Sequence, residues 1–169
     1  MSLSRLRKLL DMVSENAAQV QSREVNAPPL IDQAMSKYYG IRQYPAPQHS
    51  PTIVRWKKAF WPNIESDSEF SWCAVFMWNI CTEFGYEATK SALARDWLKV
   101  GTEVKEPQYG DVVIFSRGSE PWMGHVGFVV RVSKAHGVVY TFGGNQSNAV
   151  NIAAYNSDRV LGYRRLARV

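Results

Sequence analysis

Two stretches of the chain decide how it is read: Ser71-Trp72-Cys73-Ala74-Val75-Phe76 and Gly124-His125-Val126-Gly127-Phe128-Val129-Val130. The first predicts a cysteine opening a buried helix. The second predicts a histidine opening a buried strand. A thiol is reactive as its anion, and a helix N-terminus favours that anion through its unpaired N–H groups and dipole. A base must come within about 3 Å of the nucleophile it serves, so it needs a rigid, open position. The start of a strand is such a place, and Gly124 and Gly127 leave room beside the imidazole, with Gly127 on the same strand face as His125.

Around these stretches the hydrophobic period changes once. Leu3, Leu6, Leu10, Val13, Ala17 and Val20 recur at helical spacing and predict an amphipathic helix over Ser4–Arg23, followed by a Pro28-Pro29 breaker. Residues 1–26 are accordingly read as a separate N-terminal helix and 27–169 as the main domain. Further helices are expected over Leu30–Tyr39, closed by Gly40; from a Thr52 N-cap to Phe60; over Trp72–Gly85, with Ser71 as N-cap; and over Ser91–Val100, with Leu93, Trp97 and Leu98 inward. From Gly110 the period becomes two. Strands are expected at Asp111–Phe115, His125–Val132, Val138–Phe142, Val150–Ala154 and Val160–Arg165, with His136-Gly137 as a hairpin turn. Helices followed by an antiparallel meander make an α+β pattern.

Composition narrows the function. At 169 residues and 46% hydrophobic, the chain can bury a core and is no disordered segment. A net charge of +5 suits an anionic partner. The basic residues are scattered apart from Arg164-Arg165 and Arg168, and no aromatic-interleaved basic strand reads nucleic acid. Cys73 and Cys81 fall eight residues apart on one helix, roughly 12 Å by helical rise and beyond disulfide reach. Without a CxxC pair, structural zinc is not expected. Glu65-Ser66-Asp67-Ser68-Glu69 lacks the Gly and downstream Glu of a calcium loop and reads as a solvated loop. No cofactor or metal is expected. Asp11 and Glu15 interrupt any signal-like apolar run, and no stretch approaches the ~20 apolar residues of a membrane span. The expectation is a protein made in the cytoplasm without a signal peptide.

The segment Gly143-Gly144-Asn145-Gln146 supplies a third polar group. A hairpin about His136-Gly137 returns it to His125, where Asn145 is placed as the residue orienting the imidazole. Gln146, Asn148 and Asn151 are rivals for that position. Cys81, deep in its helix, reads as structural; His49 and His136 read as surface residues.

Trp72-Cys73-Ala74, Gly110-Asp111-Val112-Val113, Gly124 to Phe128, Gly143 to Asn148 and Leu161 to Arg165 occur in order and at compatible spacing, with Ala92 to Leu98 between them. Together these segments resemble the CHAP/NlpC group of papain-like peptidoglycan hydrolases, in its phage and bacterial branch. The likeness runs from about Pro29 to Leu166. It implies a papain-like fold, with N-terminal helices packed on a C-terminal antiparallel sheet, and a thiol hydrolase of amide bonds in peptidoglycan. Cys73 would be the nucleophile, His125 the base and Asn145 its holder, with Trp72, Trp122 and Gln146 at the substrate. Asp111 would be structural. Gln43 stands where that branch is expected to carry Glu, which could alter a substrate subsite. The resemblance further implies a monomer acting at the cell wall as an endolysin or a delivered toxin, with an inhibitor or immunity protein as a conceivable partner. Two alternatives remain open on the residues alone: a papain-like deamidase or protease acting on a protein, and a non-enzymatic module of a phage particle.

Overall fold

The computed structural model describes residues 29–169. The expected helix over Ser4–Arg23 lies outside the described residues. Three α-helices come first: α1 (Leu30–Tyr38), α2 (Pro51–Lys58) and α3 (Cys73–Glu83). A short 3-10 helix, Ala94–Lys99, leads into six strands: β1 (Thr102–Glu103), β2 (Val112–Ser116), β3 (Gly124–Ser133), β4 (Val138–Gln146), β5 (Ala149–Asn156) and β6 (Val160–Arg165). The strands form one antiparallel sheet in the order β1-β6-β2-β3-β4-β5. The arrangement is α+β, as the change of period predicts. The meander covers β2 to β5 only, because β6 returns across the sheet to pair with β2.

Local chemistry explains where the helices start and stop. Gly40 at φ +86° and Gly85 at φ +72° end α1 and α3 in the left-handed region that glycine adopts without a Cβ clash. The cap of α2 is Ser50 rather than Thr52: its side chain accepts from the Ile53 N–H, and Pro51 occupies the first helical position, where its missing N–H costs nothing. The N-cap of α3 is Trp72, without a side-chain cap, instead of Ser71. The α-helix expected over Ser91–Val100 is only a 3-10 turn. The Ser91 hydroxyl accepts from the Leu93 N–H and donates to the Asp96 carboxylate, which holds the chain out of an earlier helical start. Leu93 consequently faces solvent while Trp97 is fully buried.

Alternation along the strands sends successive side chains to opposite faces. Val112, Ile114, Val126, Phe128, Phe142 and Val150 meet the helices, packing with Ile31, Trp56, Phe76 and Ile80 in the main core. Val113, Phe115, Val129 and Val139 form a smaller cluster on the opposite face. Helix α3 crosses the sheet closely at the end of β4. A Cβ on Gly144 would stand 2.6 Å from the Phe76 Cβ and 2.7 Å from Trp72 Cζ3, so only glycine allows this approach. Asp111 is structural, taking both guanidinium nitrogens of Arg165 at 2.8 Å and the Gln108 N–H at 2.7 Å.

The loop ahead of α3 is organised from inside. Lys57 is fully buried, and its ammonium donates to the carbonyl oxygens of Asp67 at 2.7 Å, Phe70 at 3.0 Å and Glu69. Asp67, expected in a solvated loop, is also fully buried. Its carboxylate accepts from the backbone N–H groups of Ser50 at 2.7 Å and Tyr44 at 3.0 Å and lies 3.1 Å from His49 Nδ1. These donors saturate Asp67, and no cluster of metal-ligating side chains occurs among the described residues. Likewise, no helix among them is long and apolar enough to cross a membrane.

Replacing Lys57 with Met keeps the stem but strips three carbonyls of their donor, and should cost about 3 kcal/mol in urea denaturation. Gly144→Ala should cost about 1–3 kcal/mol by overpacking, read in the same measurement.

Candidate active site

Cys73 is the first residue of α3, and its side chain is buried at 2% exposure. Three donors point at its sulfur. The Ser71 hydroxyl oxygen is 3.8 Å away, and the backbone N–H groups of Ala74 and Val126 favour the anion. Val126 follows His125, so the sulfur lies against the start of β3, where the imidazole is carried. Burial outweighs these donors and pushes the thiol's pKa above its ordinary value. Cys81, deep in α3, has no such donors; burial alone raises its pKa.

His125 is 1% exposed. Its strand position pairs with Phe115, and its ring clusters with those of Phe115 and Tyr155, with centroids 6.3 and 4.9 Å away. Two neighbouring glycines make this position possible. A Cβ on Gly127 would meet Thr141 Cγ2 at 2.6 Å, and one on Gly124 would meet the Phe115 carbonyl at 2.9 Å. Burial lowers the imidazole pKa to about 4; the Gln146 hydrogen bond opposes the shift, and the Arg117 and Arg159 charges add to it. At neutral pH both groups therefore rest uncharged. The sequence alone suggests a low-pKa thiol; burial reverses that expectation.

The imidazole is held by Gln146. Its Oε1 lies 3.0 Å from His125 Nε2. Which way the amide faces is settled by its nitrogen, which donates to the carbonyls of Thr141 at 3.1 Å and Asn151 at 2.7 Å and to Asn151 Oδ1 at 3.0 Å. With Oε1 turned to the ring, Nε2 must carry the proton. Nδ1 is then a bare acceptor, and it is buried with no hydrogen-bond partner among the described residues. A buried lone pair left open is free to accept a proton.

Several sequence-based assignments change. Asn145 does not orient His125. Its amide instead donates to Ser71 Oγ at 3.1 Å, on the cleft side of the thiol. The ladder between β4 and β5 is irregular from Gly143 to Gln146, and Asn145 sits at φ +57°, so alternation breaks and Gln146 turns inward. Gln146, expected at the substrate, is 2% exposed and committed to His125. Trp72, also expected at the substrate, is 1% exposed; it packs on Trp56, and its indole N–H donates to Gln43 Oε1 at 3.0 Å. Only Trp122 keeps an open face, at 58% exposure. It helps line a cleft of about 650 Å³ that opens beside Cys73 and is walled by Gln43, Phe70, Ser71, Arg117 and Asn145. The sequence reading gave Ser71 only as a helix cap and overlooked Tyr155 and Arg117, which folding recruits from segments with no motif of their own.

The family model of the CHAP domain matches residues 65–145. That span contains the acidic loop, Cys73 and His125 and stops one residue before Gln146. No curated protein and no solved structure matches the chain. A CHAP domain implies amidase or peptidase hydrolysis directed at peptidoglycan. The helix-borne thiol and the sheet-borne imidazole both lie inside the span that is similar to the CHAP domain, and the α+β arrangement agrees with the papain-like fold of such domains.

Proposed function

We propose that this protein is a cysteine hydrolase of amide bonds in bacterial peptidoglycan, with Cys73 as nucleophile and His125 as base. The observation that carries the reading is the unpartnered Nδ1 of His125, opposite an Nε2 whose proton is fixed by Gln146. The reaction starts from neutral partners. The Cys73 thiol passes its proton to Nδ1 as sulfur attacks the amide carbonyl carbon. The resulting oxyanion lies on the cleft side of the sulfur, within reach of the Ser71 hydroxyl and the Asn145 amide, which already bond to each other. His125 then returns the proton to the leaving nitrogen, the C–N bond breaks, and a thioester remains. Water, deprotonated by the same imidazole, releases the carboxylic acid and restores the thiol.

In this mechanism Gln146 makes the imidazolium tolerable by accepting from Nε2 throughout. The charge formed in the transition state is the one that burial suppresses at rest, so both groups stay unreactive until a carbonyl occupies the cleft. Action at the cell wall as an endolysin or as a toxin delivered between cells suits such an enzyme.

Cys73→Ser should abolish clearing of purified sacculi, by at least about 10³-fold, with the fold retained by circular dichroism. Cys81→Ser should stay within a few-fold of wild type; loss of clearing there, or full activity in Cys73→Ser, sinks the assignment. Mass spectrometry of the released fragments will identify the bond.

Because His125 must be neutral to act, kcat/KM should fall as pH drops through about 4 rather than through the ordinary imidazole range. Gln146→Glu places a carboxylate against Nε2, stabilises the imidazolium and should move that acid limb upward. Gln146→Ala should lower kcat on the order of 10²-fold.

Burial of a neutral imidazole has a second signature. The unfolded chain takes up the His125 proton near pH 6.5, the folded one only near 4. Stability should thus fall by about 3 kcal/mol as pH drops between those values, seen as a falling urea midpoint that His125→Phe flattens.

A further inference from the structure

Among the described residues lining the cleft beside Cys73, Arg117 is the single charged side chain. The other arginines near the site are engaged. Arg159 donates to the Ser116 carbonyl at 2.8 and 3.1 Å, and Arg95 donates to the Met123 carbonyl at 2.7 Å. Arg117 makes no hydrogen bond or ion pair with any described residue. Glu120, three positions on, is exposed and does not pair with it.

Its position is set by the strand that serves His125. Arg117 directly follows β2, whose last two residues, Phe115 and Ser116, pair with His125 and Gly124. Gly118 follows at φ +62°, turning the chain away over Met123. The guanidinium is thereby left at the mouth of the cleft, close enough for its charge to favour the Cys73 anion and oppose protonation of His125. A cation within electrostatic reach of both reacting groups, without a counter-ion among the described residues, leaves a place for an anion carried by the substrate. A guanidinium matches a carboxylate with two parallel hydrogen bonds, which a carboxamide cannot reproduce because one of its two positions is itself a donor.

We propose that Arg117 is a specificity-determining residue that pairs with a free carboxylate on the peptide next to the scissile amide. This inference rests on the peptidoglycan hydrolase reading and narrows its substrate to stem peptides whose acidic residue is not amidated. Pairing would also remove the positive field from His125 as substrate binds, so the base gains strength when it is needed.

The test uses the whole protein and two muropeptides that differ only in whether the acidic residue next to the cleaved bond is a carboxylate or a carboxamide. Wild type should prefer the carboxylate form at least tenfold in kcat/KM, chiefly through KM. Arg117→Gln should bring the ratio to about one, Arg117→Lys should retain part of it, and Arg117→Glu should invert it. Arg117 is exposed, so these variants should fold. A residue acting only on the thiol's ionisation would slow both substrates alike and leave the ratio unchanged; that result overturns the proposal. Equal turnover of both forms by wild type overturns it as well. If wild type cleaves neither form and does not clear sacculi, the hydrolase reading itself fails and takes this inference with it.

Discussion

The amide of Gln146 decides what the site can do. Imidazole has two nitrogens and, when neutral, one proton to divide between them. The carbonyls of Thr141 and Asn151 take the amide's own hydrogens and leave its oxygen facing His125. The proton is thereby assigned to one edge of the ring and a lone pair to the other. Asn151 completes the arrangement by donating back to the Gln146 carbonyl at 3.0 Å. The backbone of β4 and β5, not a flexible side chain, ultimately fixes the tautomer.

Burial sets the resting state of the same site. A thiol and an imidazole removed from water both favour their neutral forms. The helix N-terminus and the Ser71 hydroxyl act in the opposite direction, but a first-turn position does not compensate for near-complete desolvation. On the proposed mechanism, reactivity then depends on what enters the cleft rather than on a standing ion pair. The same helix meets β4 at Gly144, where only glycine admits the close approach of Phe76 and Trp72.

Much of this was legible in the residues. The change from helical period to alternation locates the sheet, and the two glycines flanking His125 mark the place where backbones approach closely. Other features were not. Asn145 and Gln146 are adjacent amides with the same chemistry, and the choice between them lies in a ladder irregularity and a positive φ that composition does not encode. Trp72 stands beside the cysteine and reads as a substrate platform, yet its ring is drawn into the core against Trp56 and its N–H is satisfied by Gln43, a residue far away in sequence. The 3-10 turn at Ala94–Lys99 was hidden because a serine hydroxyl competes with the backbone for the same donor. In each case the deciding partner comes from another segment.

The loop carrying Phe70 and Ser71 to the edge of the cleft is tied to an amine that belongs to the chain. Three carbonyl oxygens converging on a positive charge resemble the shell of a bound ion, but here the ion is the end of Lys57. A tethered charge has no dissociation equilibrium with the medium. Chelators, dilution and the scarcity of divalent ions cannot remove it, so the order of this wall of the cleft is independent of whatever salts surround the protein.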